Sequence, residues 1–189
     1  RHWVEGKRVV ELGAGTGFLS MSVHLLGAAA CVCTDRGSML DLMRKNAKEN
    51  HALLKRQIGS LTRCECDWDI VKDHGVLPPE LVQQMKDQGF DLVLASDVLY
   101  EDVERADSLL VVLCALCSTR TAVLLCQSFR NATLEAHLFE ASERVGFKVT
   151  NISQNAHCSP DREAIAACDV AIWRLELEPR LQLLHDSPS

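Results

Sequence analysis

The sequence predicts an α/β fold in which a mostly parallel sheet is flanked by helices and closed by an antiparallel hairpin. Three observations predict it. A short apolar run near the start meets a glycine-rich turn and then a helical pattern; strand-like and helix-like runs alternate as far as Gly146; and two strand-like runs at the end lack a crossover helix between them.

Arg8 to Leu12 reads as a short buried strand closed at Gly13, and Phe18 to Leu26 carries apolar residues at helical spacing until Gly27 stops it. Ala30 to Thr34 is a second buried strand. Met39 to Ala52 is a helix with Met39, Leu40, Met43 and Ala47 on one face and Arg44, Lys45, Lys48 and Glu49 largely on the other, which completes a βαβ unit. Thr62 to Cys66 is a weaker third strand, followed by a polar connection through Pro78-Pro79 and a short helix from Glu80 to Lys86. Phe90 to Ser96 and Ala122 to Gln127 are strands, Val103 to Cys117 is an apolar helix, and Ala132 to Val145 is an amphipathic helix. Lys148 to Ile152 and Val170 to Glu176 are the closing strands, joined by a polar loop with Pro160.

The composition suits this fold. A chain of 189 residues, 47% hydrophobic and 24% charged, has the balance of one core-forming domain spanning residues 1–189. No apolar run reaches the roughly 20 residues a membrane-spanning helix needs, and Arg1-His2-Trp3-Val4-Glu5 does not open a signal segment. A cytoplasmic or nuclear monomer with no membrane association is therefore expected. A net charge of −6 argues against nucleic acid as the main partner and favours a cationic substrate. The nine cysteines, Cys31, Cys33, Cys114, Cys117, Cys126 and Cys168 among them, are scattered through apolar segments, as reduced thiols that pack as small hydrophobes. Cys64-x-Cys66 and Cys114-x-x-Cys117 do not combine into a tetrahedral set, so no metal is expected. The first residue is not methionine and a strand begins within ten residues, which points to a missing N-terminal segment.

The chemistry concentrates at one edge of the expected sheet. Glu11-Leu12-Gly13-Ala14-Gly15-Thr16-Gly17 lies where a strand hands over to a helix, so its glycines permit positive φ and the helix start offers free N–H groups. Asp35, eighteen residues after Gly17 and at the end of the second strand, is placed to accept both hydrogens of a ribose diol. The turn is Gly-x-Gly-x-Gly rather than a dinucleotide fingerprint. With Glu11 before it, the turn suits a ligand bearing sulfonium and ammonium groups better than a pyrophosphate. Asp67 and Trp68 follow the third strand, where the carboxylate could accept from an adenine amino group and the indole could cover the base.

These residues, together with Ser96-Asp97-Val98-Leu99-Tyr100, resemble the seven-strand class of S-adenosylmethionine-dependent methyltransferases. Within that class they resemble the protein-lysine methyltransferases that modify elongation factors and chaperones, whose Asp/Glu-x-x-Tyr signature Asp97 and Tyr100 match. The likeness runs from about Gly6 to Glu176. It implies a Rossmann-like sheet of order 3-2-1-4-5-7-6, with S-adenosyl-L-methionine held by Glu11, Gly13, Gly15, Gly17, Asp35, Asp67, Trp68 and Ser96. It also implies a protein substrate whose lysine is met by Asp97, which orients the amine, and Tyr100, which lines the slot. Asp97 is alternatively placed to cap the helix beginning near Val103.

Two rim segments follow from this topology, Gln127 to Asn131 and Ser153 to Ala167, the second with Asp161 and Glu163. Other acceptors, namely arginine, histidine or a small molecule, keep the same cofactor. Arginine would call for paired acids, and Glu101 and Asp102 are the available additions. A non-catalytic cofactor-binding protein is the reading from another class.

Overall fold

The computed structural model describes residues 2–85, 88–100, 102–128, 131–153 and 170–179. The expectations for Glu101, Phe129, Arg130, Asp161, Glu163 and the rest of the 154–169 loop lie outside them. The elements run β1 (Arg8–Leu12), α1 (Phe18–Leu25), β2 (Ala30–Asp35), α2 (Gly37–Glu49), α3 (His51–Leu54), β3 (Ser60–Glu65) and α4 (Trp68–His74). They continue with α5 (Pro79–Met85), β4 (Leu92–Ser96), α6 (Val103–Leu116), β5 (Ala122–Ser128), α7 (Ala132–Arg144), β6 (Phe147–Asn151) and β7 (Val170–Leu177).

The strands form one sheet of order β3-β2-β1-β4-β5-β7-β6, the order implied by the resemblance. β3 through β5 pair in parallel, while β7 runs antiparallel to both β5 and β6. A strand covered on both faces needs apolar residues at successive positions, and β1 has them in Val9, Val10 and Leu12, all fully buried. The pleat sends them opposite ways. Val10 and Leu12 join Val93, Ala95, Val123 and Leu125 under α4, α6 and α7, whereas Val9 joins Cys31, Leu92 and Leu94 under Val23 of α1. The described cysteines are free thiols, and Cys31, Cys33, Cys64 and Cys66 are buried in the sheet.

The expected elements are present with boundary shifts of one to two residues, and two differences carry physical content. The helix expected over Met39–Ala52 begins at Gly37 and breaks at Asn50, whose φ of −98° and ψ of 8° separate α2 from α3. α4 stands where a polar connection was expected. Its signals are local: the Asp67 side chain accepts from Asp69 N–H, Lys72 and His74 occupy the last turn, and Gly75 closes it at φ 69°. Seven residues make too short a run for apolar periodicity to reveal.

The entry to β3 is tightly fitted. A Cβ at Gly59 would lie 2.1 Å from the Ala28 carbonyl oxygen and 3.1 Å from that of Ala29. Gly59→Ala should therefore force the strand edge apart and destabilise the fold by about 1–3 kcal/mol. Ile58→Ala, at a fully exposed neighbour, should leave stability unchanged. Urea unfolding of both variants tests the pair, and equal midpoints would refute the steric reading.

Candidate functional site

At the carboxyl ends of β1, β2 and β4 the chain turns away from the sheet and leaves a cavity of about 230 Å³. Gly13, Gly15, Asp35, Trp68, Asp97 and Tyr100 line it, so six of the ten residues expected from sequence come together there. Arg36, Met39, Cys66, Val98 and Arg105 complete the lining.

The glycine turn shapes the floor. Gly13, Gly15 and Gly17 have φ of 67°, 54° and 76°, the left-handed region that side chains disfavour. A Cβ at Gly13 would meet Val98 at 2.9 Å, whereas one at Gly15 would meet nothing within 4 Å. The missing Gly15 side chain therefore leaves room for a ligand against the backbone. Asp35 leans over this turn: its Oδ2 accepts from Gly15 N–H at 2.7 Å and its Oδ1 from Arg36 N–H at 2.7 Å. Each carboxylate oxygen keeps a second lone pair for a ligand hydroxyl.

Glu11, Gly17, Asp67 and Ser96 are not among the lining residues. Glu11 is buried beneath the first turn of α1, where its carboxylate accepts from both the N–H and the hydroxyl of Ser20. Gly17 is the N-cap of α1 and has no side chain to cap it with, so Glu11 satisfies that helix end from the neighbouring strand. Gly17 packs towards Met43, and Asp67 caps α4 while facing an adjoining groove. Ser96 is exposed at the end of β4.

Trp68 is almost fully buried, and the Arg105 guanidinium sits 4.3 Å above its ring centroid. The indole is therefore shared between the cavity and an arginine rather than open as a plain stacking platform. Arg105 Nη1 lies 2.9 Å from Asp69 and 3.7 Å from Asp67, while Arg36 approaches the same two carboxylates at 3.7–3.8 Å. Hydrogen bonding and these cations hold the Asp69 carboxyl below its usual range despite some burial. Neither arginine was expected from sequence. Arg105 did leave a signal, a charged residue on the same helical face as Leu109, Val112 and Leu116.

Asp97 directly follows β4 at φ 55°, the one non-glycine positive φ among the described residues. Its Oδ1 accepts from Ser128 Oγ at 2.9 Å and Gln127 Nε2 at 3.2 Å. It does not cap α6: Asp102 does, accepting from Arg105 N–H at 3.0 Å. Tyr100 stands at the rim, 59% exposed.

The sheet order, the glycine turn and the acid at the end of β2 define the seven-strand class of S-adenosylmethionine-dependent methyltransferases. Residues 1–144 match the family model described as lysine methyltransferase, and the chain belongs to that family. It is 33% identical to the zebrafish (Danio rerio) protein N-lysine methyltransferase METTL21A over 141 residues, 75% of this chain and 58% of that protein. It is 28% identical to the Bos taurus protein-lysine methyltransferase METTL21E over 170 residues, 82% of this chain and 55% of that protein. The chain thus spans a little over half the length of these relatives. Among solved structures, a TehB-like methyltransferase from Corynebacterium glutamicum aligns with TM-score 0.61 at 13% identity, covering 92% of this chain and 82% of that one. Magnesium protoporphyrin IX methyltransferase from Synechocystis aligns with TM-score 0.58 at 18% identity, covering 92% and 71%.

Burial pushes the Glu11 carboxyl up from 4.5 to about 7, against the two Ser20 hydrogen bonds and with a smaller push from the Asp35 charge. A carboxyl that ionises later in the fold than in the unfolded chain opposes folding increasingly as pH rises from about 4.5 to about 7, and fully above that. The total is about 3 kcal/mol at 1.36 per unit. Glu11→Gln keeps an acceptor oxygen for Ser20 and removes the titration. Its stability relative to wild type should therefore climb by a few kcal/mol between about pH 5 and pH 8. Urea unfolding across that range measures the difference, and parallel profiles would show that Glu11 is ionised throughout.

Proposed function

We propose that this chain is the catalytic part of a protein methyltransferase that moves a methyl group from S-adenosyl-L-methionine to the side-chain nitrogen of a lysine. The observation that carries the reading is the single cavity in which the Asp97–Tyr100 signature faces the Gly13–Gly15 turn and Asp35. The names of the relatives, both protein-lysine methyltransferases, support the substrate class. Free thiols buried in the sheet support a reducing compartment, the cytosol or nucleus.

The residues present fit the cofactor. The open space over Gly15 admits it against the backbone, Asp35 offers acceptors for its ribose hydroxyls, and Trp68 with Val98 and Met39 supplies apolar surface for its base. Glu11 contributes indirectly, by fixing the α1 end on which the turn rests. When bound, S-adenosylmethionine supplies an electrophilic methyl carbon on a positively charged sulfur.

The rest is the work of the chain on the incoming amine. A lysine must reach the methyl carbon uncharged, and with an ordinary pKa of ~10.4 that costs about 4–5 kcal/mol near neutrality. Proton loss to water before enclosure meets this need, so Asp97 need not be a strong base. Its carboxylate, held by Gln127 and Ser128, attracts the amine and aims it. The Tyr100 ring at the rim covers the side chain and excludes water as the lysine enters.

Two substitutions separate the cofactor and substrate halves. Asp35→Ala removes the acceptor for the ribose and should weaken S-adenosylmethionine binding by ~1.5–3 kcal/mol with the fold retained; calorimetry giving unchanged affinity would take Asp35 out of the site. Asp97→Asn keeps the oxygen that Gln127 and Ser128 hold but removes the charge. Single-turnover transfer of labelled methyl to lysine should fall by ~10²-fold, with cofactor affinity changed far less. Wild-type transfer by this variant would refute the role of Asp97, and cofactor binding without lysine labelling by the wild type would favour a non-catalytic binding protein.

A further inference from the structure

The conformation of Asp97 needs an explanation, because a φ of 55° is uncommon outside glycine, even for aspartate, which tolerates it better than most side chains. Gln127 supplies one. β5 alternates, and Val123, Leu125 and Gln127 are its fully buried positions. The first two pack in the apolar core, so the third slot of that row is one a leucine would ordinarily fill. A glutamine there must find partners for its whole amide.

It does, and all of them lie on one turn. Gln127 Oε1 accepts from Leu99 N–H at 3.2 Å, and Nε2 donates to Leu99 C=O at 3.3 Å and to Asp97 Oδ1 at 3.2 Å. The side chain thus pairs with Leu99 as a neighbouring peptide group would, and with its remaining hydrogen fixes the carboxylate two residues earlier. Asp97 N–H donates to Cys126 C=O at 2.8 Å, extending the β4–β5 ladder one step past Ser96. The chain therefore leaves the sheet between two anchors, a backbone bond at Asp97 and a side-chain clamp at Leu99.

We infer that Gln127 is the positioning residue of the transfer reaction, resting on the methyltransferase reading above. It acts through Asp97, whose carboxylate it orients, and through Leu99, whose backbone fixes where Tyr100 begins. It makes no bond to the glycine turn, where Gly15 N–H is held by Asp35 instead.

The test uses the full chain with Gln127→Leu, Gln127→Glu and Ser128→Ala. Transfer is followed in single turnover with methyl-labelled S-adenosylmethionine and lysine-containing proteins of a cell extract, affinity by calorimetry with S-adenosylmethionine, and the Leu99 amide by hydrogen exchange without cofactor. Gln127→Leu should lower transfer by ~10²-fold, the loss expected when a reacting group is misplaced by about an ångström. Cofactor affinity should stay within about threefold and Leu99 exchange should quicken. Gln127→Glu keeps the acceptor for Leu99 and the volume but sets a second carboxylate against Asp97, so it should lose transfer even where the leucine variant fails to fold. Ser128→Ala, which leaves Leu99 paired, should lose less than either. Transfer at the wild-type rate in a folded Gln127→Glu or Gln127→Leu variant would overturn this inference alone. So would an equal loss of transfer and cofactor affinity, the mark of a merely structural role. No lysine labelling by the wild type would overturn the methyltransferase reading, and this inference with it.

Discussion

The β1–α1 turn must hold three residues in the left-handed region within five positions, and the rest of the site depends on that demand. Meeting it with glycine reverses the chain tightly enough to start α1 directly over the sheet and to leave open space at Gly15. It also leaves those three positions without side chains that could fasten the turn. The fastening comes from neighbours: Ala14 N–H donates to Thr34 C=O, Gly15 N–H to Asp35, and the bare start of α1 rests on Glu11. A buried acid with its pKa near 7 is the consequence, because the helix end needs an acceptor where there is no water. The same turn constrains β4, since Val98 fills the space that a Gly13 side chain would need.

Charge is divided across the crevice in a way that the net charge of the chain does not suggest. Asp35 and Asp97 line it as acids with hydrogen-bonded oxygens, whereas Asp67 and Asp69 stand behind it, neutralised by Arg36 and Arg105. The cavity is therefore lined by two carboxylates and two guanidiniums rather than by an acidic surface. Arg105 ties α6 to the start of α4 and lies over Trp68, so the helix and the indole are braced by the same guanidinium. The two halves of the crevice are mechanically joined on this side by ion pairs and on the other by the glycine turn.

Much of this was legible in the sequence, for reasons that separate local from distant causes. The strands were readable because β1, β2 and β4 are buried on both faces and so carry mainly apolar runs, and the glycine turn because glycine adopts its left-handed backbone without the strain other side chains bring. Asp35 was readable because its place follows from the length of one βαβ unit. α4 was not, although Asp67 and Gly75 bracket it, because seven residues are too few for a period to emerge. Glu11 was placed beside the ligand, and the structure turns it instead towards Ser20, because the pleat sends alternate side chains of β1 to opposite faces. The partners of Asp97 and the pairing of Arg105 with Asp69 depend on residues some 30 to 36 positions away, which no local pattern encodes.

Each residue given a role here lies within residues 1–144, the span of the family match, which leaves the β6–β7 hairpin to be accounted for by the fold. The hairpin matters to the site through β5. Without β7, β5 would be the edge of the sheet and its carboxyl end would be open to water. β7 instead pairs along the whole of β5, setting Ala171, itself buried, opposite Gln127 and Val170 opposite Ser128. A glutamine amide grips a turn well only where water does not compete for its hydrogen bonds. The antiparallel insertion thus keeps dry a side chain that holds Leu99 and Asp97 together, and in this way β7 contributes, through β5, to the geometry of an acid that follows β4.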